Sequence, residues 1–281
     1  MVNLNGHIFS ALPPELEQVQ RAFFYGDGLF ETIRSYQGQL PFWDWHLDRL
    51  QRGMDQLGLE WPDGFSSHQL LSEIQKMGVD NSRIRITIWR SAGGLYMPLN
   101  HQAQFLISTQ DLPTAWQSWP AEGLKVCFCD TVRMPIDQYA GLKWLGGMRY
   151  VAAAREVQQK GVQDGLLFNS AGRICEAVSS NLYWVSDGRL FYPTAGEGQV
   201  AGTFQAYLTD LLIQNGWNPS PKRCLQEDIL QADEVFFTNA IQGIRWVSEL
   251  DGRKLTNRTT SLVYELFKQD LAQKLNWNGY I

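Results

Sequence analysis

A stretch with two prolines, residues 110 to 122, divides the chain into two parts that each carry their own hydrophobic pattern. The stretch follows neither the helical period nor the strand period, and proline disfavours the interior of both structures. The chain of 281 residues is long enough for two domains with separate cores. We therefore predict an N-terminal domain over 1–110, a linker over 111–122 and a C-terminal domain over 123–281.

Strands and helices alternate in the first part. Apolar and polar residues alternate strictly over residues 83–89, which indicates a half-buried strand. Apolar residues three or four positions apart indicate helices elsewhere in this part. The predicted strands are 29–36, 83–89 and 104–109, and the predicted helices are 44–58 and 66–77.

The second part is richer in short strands. Gly161 and Gly202 mark the end of one predicted helix and the beginning of another. Asp187 and Gly188 form a hairpin signal between two strands. The predicted strands are 124–129, 165–169, 173–177, 181–185, 189–192 and 235–238, and the predicted helices are 145–160 and 203–215.

Composition excludes several functional classes. With 44% apolar and 19% charged residues the chain is typical of a globular protein, and a net charge of −5 without any basic run argues against a nucleic-acid partner. No apolar run approaches the roughly 20 residues of a membrane helix. The first residues form neither a basic leader nor an apolar signal core. We expect a cytoplasmic protein that does not bind membranes.

The four cysteines are predicted to be buried free thiols. Cys127 and Cys129 flank one residue of a predicted strand, so both side chains should point to the same face. A metal site needs further ligands at short spacing, and the four histidines lie far away in sequence. We expect no metal.

Three features of the second part carry chemistry when they are taken together. Lys143 lies among apolar neighbours, which would lower the pKa of its amine. Glu176 lies in an apolar strand, and Gly202 precedes a helix whose first N–H groups are free to bind an anion. Taken singly, they also fit a surface lysine, an edge-strand charge and a plain helix cap. Their combination is typical of an enzyme that uses pyridoxal phosphate.

Six segments in the expected order resemble the fold-type IV pyridoxal phosphate enzymes, which are also called class IV aminotransferases. The resemblance extends from about residue 21 to 250, and the segments are 25–32, 46–50, 141–143, 176–182, 200–202 and 232–235. It implies an α/β (α+β) fold with a small N-terminal α/β domain and a C-terminal pseudo-barrel domain that binds the cofactor. It also implies a homodimer that completes each active site.

The resemblance assigns roles residue by residue. Lys143 matches the lysine that forms the Schiff base, Glu176 the partner of the pyridine nitrogen and Arg49 the arginine that binds phosphate. Val200 matches the apolar residue under the cofactor ring. The remaining predicted cofactor-binding residues lie at two phosphate contacts: Gly202, Thr203 and Phe204, and Thr238, Asn239 and Ala240.

The sequence indicates the reaction less clearly than it indicates the family. Met148 stands where branched-chain enzymes have tyrosine, and the loop after residue 89 lacks the Arg-x-His pair of D-amino-acid enzymes. That loop is more similar to the lyase of 4-amino-4-deoxychorismate, although Leu95 and Gln205 stand where arginines are usual.

These departures favour an aminotransferase that moves an amino group between an amino acid and a 2-oxo acid. The alternative is the lyase, which releases pyruvate and 4-aminobenzoate in the folate pathway; a non-catalytic protein that binds pyridoxal phosphate is a third. The predicted substrate pocket comprises Phe30, Leu95, Tyr96 and Met97, whose apolar and aromatic side chains suit a hydrophobic amino substrate.

Overall fold

The computed structural model describes residues 1–5, 7–11, 13–113 and 119–275. The fold is mixed α/β, as predicted, with a two-stranded, a three-stranded and a nine-stranded sheet in the described residues. Part of the predicted linker, residues 114–118, lies outside the described residues. The domain boundaries therefore stay a prediction.

Within the described residues, the first part of the chain forms the two small sheets and four helices. Its elements are β1 (Val2–Leu4), β2 (His7–Phe9), α1 (Pro14–Gln18), α2 (Gln20–Tyr25), β3 (Gly28–Arg34), α3 (Trp43–Leu57), α4 (Ser67–Lys76), β4 (Ser82–Arg90) and β5 (Ala103–Asp111). Strands β3, β4 and β5 pair antiparallel in that order. The predicted strands and helices of this part are confirmed.

Strand β4 shows why this sheet has two different faces. Ile84, Ile86 and Ile88 are fully buried and belong to the core shared with α3 and α4. Because side chains alternate along a strand, Arg83 and Arg85 point to the opposite face. That face becomes a wall of the cavity described below.

The described residues of the second part, 119–275, form the nine-stranded sheet and four helices. Its elements are β6 (Leu124–Met134), α5 (Met148–Gln159), β7 (Asp164–Asn169), β8 (Ile174–Ala177), β9 (Asn181–Ser186), β10 (Arg189–Pro193), α6 (Thr203–Gln214), β11 (Ser220–Lys222), α7 (Gln226–Leu230), β12 (Glu234–Asn239), β13 (Gly243–Leu250), β14 (Arg253–Lys254) and α8 (Arg258–Lys274).

The large sheet curls back on itself. Its strand order is β11-β10-β9-β12-β13-β6-β7-β8, with β14 paired to β13. Ile174, at the start of β8, donates its N–H to the carbonyl of Cys224, just after β11, at 2.8 Å. The two ends of the sheet therefore meet, which is the barrel-like closure expected of the second part.

Successive side chains of β6 point alternately to the inside and to the outside of this barrel. Val126 and Phe128 belong to the core inside the barrel, whereas Cys127 and Cys129 pack on the outer side with Val157 of α5. All four cysteines are buried and free, as predicted.

Two boundaries differ from the prediction by three residues or more. Helix α5 begins at Met148 instead of 145, because the N–H of Leu145 donates to the carbonyl of Gly28 and thereby holds the preceding loop against β3. Strand β6 continues to Met134, beyond the predicted end at 129. Within the described residues, none of the helices is both long and apolar enough to cross a membrane.

Candidate active site

A cavity of about 660 Å³ lies where the three-stranded sheet meets the barrel. Strands β3 and β4 line one part of it, and the loop before α5 lines another. The ends of β8 and β12 and the start of α6 complete the wall. The cavity is large enough for a cofactor and a small substrate.

Lys143 reaches this cavity from the loop between β6 and α5. The loop is fixed to β3, because the N–H of Phe30 donates to the carbonyl of Lys143 at 2.8 Å. The amine of Lys143 lies 4.6 Å from the centre of the Phe30 ring. Burial, and next the charge of Arg49, lower the pKa of the Lys143 amine to about 8. The amine is therefore easier to deprotonate than an ordinary lysine.

Glu176 of β8 faces the same cavity and is only 3% exposed. Tyr150 of α5 donates its hydroxyl to Oε1 of Glu176 at 2.6 Å, and the N–H of Val200 donates to Oε2 at 3.1 Å. Burial nevertheless raises the pKa of Glu176 to about 7, because it penalises the charged form more than these donors stabilise it. A further cation next to this carboxylate would lower its pKa again.

The start of α6 presents free backbone donors to the cavity. Gly202 is the N-cap residue and no side chain caps the helix, so the first N–H groups at Thr203 and Phe204 have no partner within the helix. A side chain at Gly202 would collide with Asn181, whose Oδ1 lies 1.8 Å from an added Cβ. Asn181 in turn donates to the carbonyl of Val200 at 2.9 Å.

The end of β12 contributes further polar groups to the cavity wall. Thr238 is 1% exposed, and its hydroxyl has no hydrogen-bond partner in the described residues. A buried hydroxyl without a partner is costly unless a ligand satisfies it. Asn239 accepts hydrogen bonds from the N–H groups of Ile241 and Gln242, so its side chain shapes the turn that presents Ala240.

Arg49 of α3 is held from two sides. Its Nε and Nη2 donate to the carboxylate of Glu31 at 2.7 and 2.6 Å, and Nη1 donates to the carbonyl of Ala201 at 2.9 Å. His46 lies 2.7 Å from the same carboxylate. Burial alone would raise the pKa of Glu31, but Arg49 and His46 outweigh it and lower that pKa to about 2. The pair ties β3 to α3 and positions Arg49 beside α6.

Eleven of the fourteen predicted site residues therefore line one cavity. The exceptions are Leu95, Tyr96 and Met97, which lie outside it and are 75%, 89% and 80% exposed. In this chain they do not form a wall beside Lys143. The prediction that they contact substrate is taken up below together with the oligomeric state.

The residues of the cavity that the sequence did not predict include two arginines and a tyrosine. Arg83 and Arg85 line it from β4, and Tyr150 lines it from α5. The alternation of β4 places both arginines on one face, but it does not show that this face meets the barrel. Tyr150 lies in a predicted helix, and its contact with Glu176 depends on the packing of that helix against β8.

The family model for amino-transferase class IV matches residues 28–250. The chain belongs to the class IV aminotransferase family. This confirms the resemblance found in the sequence. Enzymes of this family depend on pyridoxal phosphate.

The chain is similar to lyases and to aminotransferases. An aminodeoxychorismate lyase of Vibrio harveyi is 28% identical over 236 residues, covering 81% of this chain and 84% of that protein. A D-alanine aminotransferase of Bacillus licheniformis is 24% identical over 266 residues, covering 90% and 89%. The crystal structure of 4-amino-4-deoxychorismate lyase from Pseudomonas aeruginosa is 27% identical with a TM-score of 0.80, covering 97% of this chain and 98% of that one. The chain is thus an enzyme of a family that includes aminotransferases and lyases.

Proposed function

We propose that this protein is a pyridoxal phosphate-dependent aminotransferase in which Lys143 is the catalytic base. The observation that supports this most directly is the amine of Lys143, with its pKa lowered to about 8, in one cavity with the buried carboxylate of Glu176. Such a pair suits a cofactor that reacts with an amine and carries a basic ring nitrogen.

The residues of the cavity fit this cofactor. The phosphate would accept hydrogen bonds from the N–H groups at Thr203 and Phe204, and from the hydroxyl of Thr238, which has no partner in the described part of the chain. Arg49 would add a positive charge, and the peptide groups of Asn239 and Ala240 would complete this contact. Val200 would lie against the ring.

Pyridoxal phosphate supplies a carbonyl group that condenses with amines and a ring that withdraws electrons from the adjacent substrate carbon. Lys143 would first hold the cofactor and would then, as a free amine, take the proton from the substrate Cα. Its lowered pKa keeps part of the amine neutral near physiological pH. Glu176, held by Tyr150 and Val200, would keep a proton on the ring nitrogen.

The test combines covalent trapping with a half-reaction. Borohydride treatment of the purified protein should attach a pyridoxyl group to the peptide that contains Lys143, as read by mass spectrometry. Lys143→Ala should lose the adduct, whereas Lys160→Ala, which changes an exposed lysine just after the end of α5 and outside the cavity, should keep it. Amino acids should convert the bound cofactor to its amine form, and a 2-oxo acid should reverse the change. Trapping on another lysine would refute the assignment.

A second candidate is the lyase reaction on aminodeoxychorismate. It is favoured by the lyase of Vibrio harveyi, at 28% identity, and by the two arginines of the cavity wall, since that substrate carries two carboxylates. Sustained release of pyruvate from aminodeoxychorismate without any 2-oxo acid, together with no half-reaction for any amino acid, would identify the lyase. Cofactor binding without either reaction would identify a non-catalytic protein.

The proposal includes a homodimer in the cytoplasm. Phe23 and Phe24 of α2 and the loop residues Leu95, Tyr96 and Met97 are exposed apolar side chains, which favours an interface. In such a dimer the loop would contact substrate only in the cavity of the partner subunit. Four buried free cysteines suit a reducing compartment. Light scattering should give twice the chain mass, and Tyr96→Asp with Met97→Asp should lower it.

A further inference from the structure

A buried carboxylate lies outside the cavity, in the loop that connects β10 to α6. Glu197 is 5% exposed and does not line the cavity. Its carboxylate forms ion pairs with Arg173, which directly precedes β8, and with Arg223, which follows β11. Asn169, which is fully buried, donates from Nδ2 to this carboxylate at 3.0 Å. Burial alone would raise the pKa of Glu197, but Arg173 outweighs it and lowers that pKa. The carboxylate is therefore charged at neutral pH.

Two contacts of this loop with β8 and the residue before it have the same spacing. Glu197 pairs with Arg173, and three positions later along both segments Val200 donates its N–H to Glu176 at 3.1 Å. The loop and the strand therefore run side by side in the same direction over these residues. The ion pair fixes their register, because a shift that moved Val200 away from Glu176 would also separate a buried charge from its partner.

The chain between these two contacts has little freedom to absorb such a shift. Gln199 donates from Nε2 to the carbonyl of Thr194 at 2.8 Å and so closes the loop on itself. Gly198 has a φ of +104°, and a Cβ added there would lie 2.9 Å from the carbonyl oxygen of Pro135. The loop is thus tied internally and packed closely against the chain beyond β6. A movement at the ion pair would be passed on to Val200.

The next residues of the loop contact two other parts of the candidate site. Ala201 donates its N–H to the carbonyl of Gly141, two residues before Lys143, at 3.0 Å. Its own carbonyl accepts a hydrogen bond from Nη1 of Arg49 at 2.9 Å. Gly202 then begins α6. The position of this one loop therefore determines where several groups of the site lie relative to each other.

We propose that Glu197 is a positioning residue of the active site, whose ion pair with Arg173 holds the N–H of Val200 on the carboxylate of Glu176. Glu197 lies outside the cavity and acts through the loop. Its effect on Glu176 can be tested in the protein alone. Its importance for the cofactor, through Glu176 and the start of α6, rests on the proposed function.

The titration of Glu176 in the cofactor-free protein tests the proposal. Glutamate is labelled with ¹³C at the side-chain carboxyl, and the NMR signal of Glu176 is assigned by its absence in Glu176→Gln. In the wild-type protein the midpoint should lie at about pH 7. Glu197→Gln removes the charge that holds the loop, so ionised Glu176 should lose the donor at Val200. The midpoint should then rise by about half a pH unit to one unit, as expected for one hydrogen bond.

Variants of the partner show whether the ion pair is responsible. Arg173→Gln should raise the midpoint by a similar amount, and combining it with Glu197→Gln should raise it no further, because the two side chains act as one pair. Arg173→Lys should restore part of the effect, since it keeps the charge. Arg173 is partly exposed, so its variants keep the test possible if Glu197→Gln does not fold. The variants leave unchanged the other titratable groups that act on the pKa of Glu176: Lys143, Tyr150 and Asp164.

Glu234→Gln is the matched control. Glu234 is a similarly buried carboxylate, 3% exposed, but it accepts hydrogen bonds from the N–H groups of Thr259 and Thr260 and so holds the start of α8. Its replacement should lower the free energy of unfolding and leave the midpoint of Glu176 within about 0.2 pH unit of wild type. A general loss of stability is thereby distinguished from a displaced loop.

Cofactor binding gives a second readout. Glu197→Gln should weaken the binding of pyridoxal phosphate about tenfold, and Glu234→Gln less than about twofold. An unchanged Glu176 midpoint in both Glu197→Gln and Arg173→Gln would overturn the proposal, and so would an equal rise in Glu234→Gln. Failure of borohydride to trap the cofactor on Lys143 would refute the proposed function but would leave the titration result intact.

Discussion

Replacing Glu176 by glutamine should change how the stability of the cofactor-free protein depends on pH. The folded protein raises the pKa of Glu176 to about 7 from an ordinary value of 4.5, because the carboxyl is buried. The folded state therefore binds this proton more tightly than the unfolded chain. Its contribution to stability is fully present below pH 4.5 and is lost as pH rises through 7. At about 1.4 kcal/mol per pKa unit, the loss amounts to about 3 kcal/mol.

Glu176→Gln removes this titration at nearly constant volume. The free energy of unfolding of the variant, relative to wild type, should increase by about 3 kcal/mol between pH 4.5 and pH 8. A constant offset is expected as well, because the amide does not satisfy both Tyr150 and the N–H of Val200 as an acceptor. The offset is separated from the titration because only the titration varies with pH. Lys143 titrates in both proteins, so its contribution largely cancels.

The measurement is urea unfolding of the cofactor-free proteins at several pH values, followed by circular dichroism. Glu265→Gln is the control: its side chain is 52% exposed on α8, and its relative stability should vary by less than about 1 kcal/mol over the same range. A difference between Glu176→Gln and wild type that stays constant from pH 4.5 to pH 8 would refute the reasoning. The donors around Glu176 would then already offset the cost of burying its charge in the cofactor-free protein.

Three further predictions concern the groups around this site. Tyr150→Phe removes a hydrogen-bond donor to ionised Glu176, which should raise the pKa of Glu176 further. In the same unfolding experiment, the midpoint of the pH-dependent loss of stability should move upward by about one pH unit. An unchanged midpoint would contradict this. Thr238→Val removes a buried hydroxyl that has no partner among the described residues, so the cofactor-free protein should gain about 1 kcal/mol in urea unfolding. The affinity for pyridoxal phosphate, measured by fluorescence titration, should fall about tenfold. Equal losses of stability and affinity would instead indicate a packing defect. Glu31→Gln leaves the charge of Arg49 buried without its partner, so it should cost about 3–5 kcal/mol in urea unfolding at pH 7. A cost below about 1 kcal/mol would show that the ion pair is not needed for the fold.

The local elements of the fold could be predicted because their signals lie within a few residues of each other. The strict alternation of residues 83–89 predicted β4, and the apolar spacing of residues 44–58 predicted α3. The beginning of α5 was wrong by three residues, since the bond from Leu145 to Gly28 connects parts of the chain more than a hundred positions apart. No periodicity within one segment contains that information.

The residues of the candidate site likewise include some that the sequence predicts and some that it does not. Lys143, Glu176 and Gly202 are recognisable from their apolar or turn-forming neighbours and from their order along the chain, and all three line one cavity. Arg83 and Arg85 were not recognisable, because alternation along a strand defines two faces without telling which of them water covers. Leu95, Tyr96 and Met97 lie outside the cavity of their own chain, which the apolar character of the loop does not show.

By itself, then, the sequence determined the family, the order of most helices and strands, and the lysine and carboxylate on which the chemistry depends. Short-range periodicity is enough to predict helices and strands. The order of the six segments that resemble the family is enough to identify the family and these two residues. The tertiary structure decided the electrostatic environment of those groups: the buried state of Glu176, the hydrogen bond that Tyr150 donates to it, and the two arginines of β4 that line the same cavity. These depend on how the three-stranded sheet packs against the barrel, because burial and unpaired charge are properties of surfaces brought together from distant parts of the chain.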